Sequence, residues 1–226
     1  IIFIGSRPPV SFFAYPGKKS FLSPDKANLI EVATPEQDGK YALKALNDLC
    51  KGKKIDSSFL PSGLIDTPID GELNVKNLGP LMASLLPEDT IISNESGTSG
   101  FIFASYIWDA KPCDWLSITG GSIGQGIPVA TGAAVAAPDR PVVCLQGDGG
   151  AMYTIQALWT QAREGLNVTN IIFSNKSYAI LQVELERVGA LETGDRANSM
   201  LSMDNPEIDW VSLSKSLGVP ALSLIH

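Results

Sequence analysis

Cysteine and histidine, two residue types that often bind metals, are scarce in this sequence. The 226 residues include three cysteines and one histidine. Cys50, Cys113 and Cys144 are odd in number and lack the spacing of a zinc site, so we expect reduced thiols in a cytoplasmic protein. Cys144 stands inside an apolar run and is expected to be a small core residue. The histidine is His226, and no pattern supports a catalytic role for it.

Long apolar runs and dense basic runs are missing too. No apolar stretch reaches the roughly 18 residues that a membrane-spanning helix needs, so we expect no membrane partner. The formal net charge is −7, and the one basic cluster, residues 51–54, is expected to be a solvated loop. This balance argues against a nucleic-acid surface. The chain opens on Ile1 with no signal-peptide layout, and we expect it to be a piece of a longer polypeptide.

Residues 142–181 contain a strand, a glycine-rich turn, a helix and a second strand. The apolar run Val142–Leu145 predicts a buried parallel strand. Gly147, Asp148, Gly149 and Gly150 then predict a sharp turn that lies close to a ligand. Apolar residues recur at every third or fourth position after this turn and predict one helix: Ile155, Leu158, Trp159, Ala162 and Leu166. Residues 170–175 predict the next strand.

The polar residues of this pattern indicate a metal-bridged diphosphate. Asp148 and Asn175 are expected at the carboxyl ends of two parallel strands, where open α/β sheets bind ligands. A carboxylate, an amide oxygen and main-chain carbonyls suit Mg²⁺ or Ca²⁺ and do not suit zinc or copper. A glycine turn at a helix N-terminus offers N–H groups to a phosphate. For Gly-Asp-Gly alone, a helix-capping role of Asp148 is the favoured alternative, and Asn175 makes the match more specific.

The pattern of Gly147-Asp148-Gly149, a helix, and Asn175 in a strand-end turn resembles the metal and diphosphate motif of thiamine diphosphate enzymes. The surrounding sequence resembles the acetolactate synthase and benzoylformate decarboxylase group. The resemblance implies that Asp148, Asn175 and the main-chain oxygen of Ser177 bind Mg²⁺. It also implies cofactor contacts by the residues around these ligands: Gly147, Gly149, Gly150, Tyr178 and Ala179. Family members often have a second asparagine where this chain has Ser174.

Residues 94–100 form a second candidate phosphate-binding loop, after a strand predicted over Thr90–Ser93. Its small and hydroxyl side chains open a helix, which favours anion binding. The resemblance implies that Gly97, Thr98 and Ser99 contact the diphosphate. Without the resemblance, N-capping by Ser96 or Thr98 is the favoured explanation.

A third loop, residues 119–128, follows a strand predicted over Trp115–Ile118. Its glycines do not have the spacing of a dinucleotide-binding fingerprint. The resemblance implies that Gly121, Ser122 and Ile123 hold the aminopyrimidine of the cofactor. The Gly121 carbonyl would accept from the pyrimidine amino group, and Ile123 would be the apolar wedge that bends the cofactor. An ordinary core isoleucine is the alternative for Ile123. A small-residue helix is predicted over 129–137.

The helix predicted over 178–188 carries the candidate substrate pocket. In the resembled family, side chains at the start of this helix line the pocket, which implies roles for Tyr178, Ile180 and Leu181. Core packing is an equally good explanation for each of them. A further helix is predicted to start at residues 205–210 and to stop at Gly218.

The overall prediction is an α/β fold, a parallel sheet flanked by helices as in the thiamine diphosphate-binding fold, preceded by the end of a Rossmann-like middle domain. We assign residues 1–50 to that remnant, 51–73 to a linker and 74–226 to the cofactor-binding domain. In the remnant, strands are predicted over Ile1–Ile4 and 29–33, with an extended segment at 10–15. A helix is predicted from an N-cap at Thr34 to about Cys50. The segment Phe12–Gly17 resembles the family's middle domain.

Three functions remain open. The resemblance implies decarboxylation and condensation of 2-keto acids such as pyruvate, as in acetolactate synthase. A simple decarboxylase of the benzoylformate type is the second reading, because residues 94–96 resemble that branch. The third is a non-catalytic module that binds a metal–phosphate ligand. The resemblance leaves FAD open for a full-length protein, and nothing in this chain supports it.

The group that activates the cofactor is not expected in this chain. In the resembled family a glutamate from an N-terminal domain of the partner subunit protonates the pyrimidine, and no part of this sequence resembles that domain. Glu95 is expected in the diphosphate loop, at the wrong end of the cofactor. We therefore expect a homodimer or homotetramer with the site at the subunit interface, and no activity from this chain alone.

Overall fold

The computed structural model describes residues 1–50, 71, 73–100, 103–107, 110–190 and 194–224. They fall into two compact units, the smaller formed by residues 1–50 with 184–190 and the larger by the remainder. The predicted linker, apart from residues 71 and 73, lies outside the described residues, as do the basic cluster at 51–54 and His226. The domain boundaries stay a prediction.

The described part of the smaller unit contains a two-stranded parallel sheet and one complete helix. Strand β1 (Ile2–Ile4) pairs with β2 (Ile30–Ala33), and helix α1 spans Gly39–Leu49. Both strand predictions are confirmed. The segment predicted to be extended at 10–15 forms an isolated bridge between Val10 and Phe21 and does not join the sheet.

Helix α1 begins four residues later than predicted. Its N-cap is Asp38, which is extended and accepts a hydrogen bond from the N–H of Tyr41 at 2.9 Å. Thr34 opens a separate turn, in which its N–H donates to the Gln37 side chain at 2.9 Å. The prediction of Thr34 as N-cap is wrong because the chain first closes a turn, in which Gln37 N–H donates to the Thr34 carbonyl at 3.1 Å, and the helix begins only after Asp38.

The larger unit contains a four-stranded parallel sheet in the order β4-β3-β5-β6. Its strands are β3 (Thr90–Glu95), β4 (Cys113–Ser117), β5 (Val142–Gly147) and β6 (Val168–Phe173). The helices are α2 (Val75–Leu85), α3 (Gly97–Gly100), α4 (Phe103–Tyr106), α5 (Gly126–Ala136), α6 (Asp148–Thr154), α7 (Ala157–Arg163), α8 (Ala179–Arg187), α9 (Asp195–Leu201) and α10 (Trp210–Ser216). The last residues of α8, from Glu184 on, are assigned to the smaller unit.

Apolar side chains cover both faces of this sheet. Successive strand residues point to opposite faces, so Ile91 packs with α5 and α7 in one cluster, whereas Ile92 packs with Leu86 and Leu145 in another. Cys144 belongs to the first cluster, as predicted, and burial raises the pKa of its thiol to about 12, which keeps it protonated. The predicted parallel sheet flanked by helices is confirmed. Among the described residues, no helix is long and apolar enough to cross a membrane.

Several helix boundaries differ from the predictions. The helix expected after the glycine turn is two helices, α6 and α7, because hydrogen bonds from Leu158 to Ile155 and from Trp159 to Gln156 tighten the chain between them. The glycines at 149 and 150 lie within α6 and not in a turn. Helix α10 starts only at Trp210, where Asp209 caps it. Helix α9 was not predicted from the sequence.

Helix α5 begins in very close contact with the ends of two strands. A Cβ on Gly126 would lie 2.9 Å from Cβ of Glu95, and the Gln146 side chain is closer still. Gly132, two turns later in the same helix, has no other atom within 4 Å of a Cβ position. Only the first glycine is therefore required by packing.

The two capping assignments can be separated by mutation. We expect Asp38→Ala to lower the free energy of unfolding by about 1 kcal/mol, because it leaves helix N–H groups without an acceptor. Thr34→Ala should change it by less than about 0.5 kcal/mol. Urea titration monitored by circular dichroism provides the measurement, and a larger loss for Thr34→Ala would restore the original capping assignment.

The two glycines of α5 make a matched pair. Gly126→Ala should destabilise the protein by about 1–3 kcal/mol through overpacking against Glu95 and Gln146. Gly132→Ala should stabilise it by about 0.5–1 kcal/mol, since alanine restricts the unfolded chain and meets no neighbour. Thermal and urea unfolding of both variants tests this, and equal effects would contradict the packing explanation.

Candidate functional site

The four strands of the larger unit deliver all the predicted loops to one edge of the sheet. Because the strands are parallel, their carboxyl ends lie together, and loops leave there after residues 95, 117, 147 and 173. The chain passes from β3 to β4 on one side and then crosses to β5 on the other side. In open α/β sheets, ligands bind at such a reversal of strand order, outside the carboxyl ends of the strands.

Asp148 links two of these strand ends. It is the first residue of α6 and is only 3% exposed. Its Oδ1 accepts from the N–H of Gly149 at 2.8 Å, and its Oδ2 accepts from the N–H of Lys176 at 2.7 Å. The Ser174 hydroxyl lies 3.5 Å from the same Oδ2. The carboxylate is thus held against the turn that follows β6.

That turn contains the other two predicted metal ligands. Lys176 has a φ of 57°, and the Asn175 side-chain oxygen accepts from the N–H of Ser177 at 3.0 Å. The structure brings the turn next to Asp148, as the sequence predicted. The assignment of Asn175 and the Ser177 carbonyl as metal ligands stays a prediction.

Residues 201–203, which carry no sequence motif, hold the turn at 175–178 through hydrogen bonds. Tyr178 donates its N–H to the carbonyl of Leu201 at 2.9 Å, and Met203 donates to the carbonyl of Lys176 at 2.8 Å. The Ser177 hydroxyl also donates to the Leu201 carbonyl, at 3.2 Å. Sequence reasoning missed this support because main-chain pairing between distant segments leaves no residue pattern.

Tyr178 and Gly149 lie in direct contact. A Cβ on Gly149 would be 2.8 Å from Cδ1 of the Tyr178 ring, so a glycine is needed at this position. Ala179 is the first residue of α8, and Ile180 and Leu181 follow on its exposed surface. The core-packing alternative is wrong for these last two residues. Their place in a substrate pocket stays a prediction.

The loop after β3 lies beside the Gly-Asp-Gly segment. A Cβ on Gly147 would be 3.6 Å from the carbonyl oxygens of Glu95 and Ser96. Gly97, with a φ of 57°, begins the short helix α3, which also contains Thr98 and Ser99. The Ser96 hydroxyl donates to the Asn94 side chain at 2.6 Å, so it is committed to a partner outside α3.

The loop at 119–125 presents the residues predicted for the aminopyrimidine. Gly121 has a φ of 69°, and its carbonyl accepts from the N–H of Ile123 at 2.9 Å. The Ile123 side chain is 49% exposed, so the core-isoleucine alternative is wrong. Ser122 is exposed beside it. The contacts of these three residues with a cofactor stay a prediction.

Glu95 does not lie in the diphosphate loop, where the sequence placed it. It is the last residue of β3, and its carboxylate turns toward α5, where it accepts from the N–H of Gly124 at 2.5 Å and of Gly126 at 2.6 Å. The free N–H groups and the positive dipole end of α5 explain this orientation. The one feature of the sequence that could have indicated this role of Glu95 is the presence of an acidic residue at the end of a strand.

The donor set at Asp148 fits a hard divalent cation. In the described part of the chain, no group of three or more His, Cys, Asp or Glu residues could hold a metal, so a zinc-type cluster is absent there. Among the described residues, no lysine or arginine forms an ion pair with Asp148. The nearby Lys176 has its ammonium group 2.6 Å from Oε1 of Glu207 instead. A buried carboxylate without a cationic partner costs free energy unless it is compensated, and a bound cation would compensate it.

Comparison with known sequences agrees with this geometry. Residues 95–225 match the family described as thiamine pyrophosphate enzyme, C-terminal TPP binding domain. A protein of Mycobacterium tuberculosis described as "Putative acetolactate synthase large subunit IlvX" is 41% identical over 98% of this chain and 42% of its own length. A benzoylformate decarboxylase of Pseudomonas aeruginosa is 31% identical over 67% of the chain and 28% of its own length.

Comparison with solved structures gives the same result. The thiamine diphosphate-dependent 4-hydroxybenzoylformate decarboxylase of Rhodococcus jostii superposes with a TM-score of 0.77 at 26% identity, covering 100% of this chain and 44% of the other. The chain thus spans less than half the length of the relatives described here. With more than half of its residues matched to the family, the chain belongs to the thiamine pyrophosphate enzymes and carries their C-terminal cofactor-binding domain.

Proposed function

We propose that this chain provides the diphosphate- and Mg²⁺-binding part of an enzyme that acts on 2-keto acids, in the manner of an acetolactate synthase. The observation that carries the proposal is the pairing of Asp148 with the 174–177 turn, through a 2.7 Å hydrogen bond to Lys176 N–H. This contact sets a buried carboxylate beside an amide and main-chain oxygens at adjacent strand ends. Such an oxygen-rich set is what a Mg²⁺–diphosphate group needs.

The chain's own residues would then bind and orient the cofactor. Asp148, Asn175 and the carbonyl of Ser177 would hold the metal, and the N–H groups of Gly97–Ser99 would bind the diphosphate. Gly121 and Ile123 would contact the pyrimidine. When bound, thiamine diphosphate supplies a carbon nucleophile for the 2-keto acid carbonyl and an electron sink for decarboxylation. Tyr178, Ile180 and Leu181 would limit the size of the substrate.

The activating acid is proposed to come from another domain, in a homodimer or homotetramer with the site at the subunit interface. Both carboxylate oxygens of Glu95 already accept main-chain N–H groups, which supports the prediction that this residue does not activate the cofactor. We also propose a cytoplasmic location, since the three cysteines are free.

A simple decarboxylase is the second candidate. It is favoured by the likeness to the Rhodococcus 4-hydroxybenzoylformate decarboxylase, at a TM-score of 0.77. Incubation of the intact enzyme with pyruvate separates the two reactions, because a synthase yields acetolactate. A product that consists only of the aldehyde would overturn the synthase assignment, and turnover of benzoylformate would support the decarboxylase.

The metal assignment has a direct binding test. Asp148→Asn should weaken binding of thiamine diphosphate in the presence of Mg²⁺ by roughly tenfold or more, because the site loses its one charged ligand. Isothermal titration calorimetry on the intact protein measures the effect. Asp139→Asn, which changes an exposed acid before β5, is the matched control and should bind as the unaltered protein does. If the Asp148→Asn variant binds thiamine diphosphate with the same affinity as the unaltered protein, the metal assignment is wrong.

A further inference from the structure

Glu95 adjoins three of the four segments that the resemblance assigns to the cofactor. As the last residue of β3, it leads directly into the loop of Gly97. Its carboxylate accepts from the N–H groups of Gly124 and Gly126 at 2.5 and 2.6 Å. A Cβ on Gly150 would lie 2.7 Å from its Oε1, so α6 packs against the same carboxylate. The side chain is 8% exposed, which places these contacts inside the protein.

The loop at 119–125 depends on such contacts for its shape. Gly124 has a φ of 95°, a conformation that other residues rarely adopt. Its N–H is held by Glu95 and its carbonyl accepts from the Thr154 hydroxyl at 2.5 Å, so the peptide is fixed from both sides. The side chain of Ile123, one residue earlier, is half exposed and has little packing of its own to hold it.

We propose that Glu95 is a positioning residue that fixes Gly121 and Ile123 for the pyrimidine half of the cofactor, while the diphosphate half is bound without its help. The inference rests on the proposed function, since it concerns the same cofactor. A carboxylate suits this task better than an amide, because both of its oxygens accept and charge-assisted hydrogen bonds are the stronger kind. With both oxygens occupied, Glu95 orients the loop and does not itself react.

The proposal predicts a selective loss of affinity. Glu95→Gln replaces one acceptor oxygen with an NH₂ group that faces a main-chain N–H, and should therefore release the loop. We expect affinity for thiamine diphosphate to fall by roughly tenfold or more, whereas affinity for inorganic pyrophosphate should stay within about twofold. Both ligands are titrated calorimetrically with Mg²⁺ into the intact protein. Amide exchange of Gly124 and Gly126 should accelerate in the variant by about tenfold.

Asp209→Asn is the matched control. Asp209 also caps a helix, α10, by accepting from Ser212 N–H at 2.9 Å, and within the described residues its side-chain hydrogen bonds go to Ser212 and not to a cofactor loop. This variant should bind both ligands as the unaltered protein does, so a general effect of losing a capping acid is excluded.

Each outcome bears on one claim. Equal weakening of both ligands by Glu95→Gln would overturn the inference, because it would indicate general structural damage. Unchanged affinity for both would overturn it as well. If the unaltered protein binds neither ligand, the proposed function fails, whereas unchanged exchange of Gly124 and Gly126 in the variant contradicts only the role of Glu95.

Discussion

The parallel pairing of β5 with β3 on one side and β6 on the other is the constraint on which the site depends. The register pairs Glu95 with Gln146 and Gly147 with Phe173, so all three strands end at nearly the same level. A shift by one residue would exchange the two faces of a strand and move Cys144 and Leu145 to the wrong sides of the sheet. The same packing that keeps these side chains buried therefore also brings Asp148 to the turn after β6.

This arrangement places polar groups where the core would otherwise be apolar. Gln146 is fully buried, and its Oε1 has no hydrogen-bond partner among the residues that the structure describes. Glu95 lies beside it, and only glycine fits at positions 126 and 150 because the two side chains occupy the space. Unpaired buried polar atoms lower stability. A second such atom, Oδ1 of Asn170, lies within β6 beside Cys144, so unpaired polar atoms occur both at a strand end and within the sheet.

The sequence predicts well what depends on local pattern. Apolar runs identified β3, β5 and β6, and Gly-Asp-Gly followed by a later asparagine located the two strand ends that meet. It predicts poorly what depends on distant partners. Thr34 and Asp38 are both good capping residues, and only the path of the chain decides between them. The pairing of Leu201–Met203 with the 176–178 turn arises from main-chain hydrogen bonds between distant segments, which no residue type signals. The break between α6 and α7 is local, but its main-chain hydrogen bonds also leave no residue pattern.

Two carboxylates at neighbouring strand ends illustrate how partners, and not residue type, determine a role. Both Glu95 and Asp148 are nearly buried, and both accept two main-chain N–H groups. One donor to Glu95 is Gly124 in the loop before α5, and the other is Gly126, the first residue of α5, whose dipole adds positive potential. One donor to Asp148 is the adjacent residue and the other comes from a turn rich in oxygen atoms. What distinguishes Asp148 is the amide and carbonyl oxygens beside it, and a cation is the partner that carboxylate, amide and carbonyl oxygens can hold together.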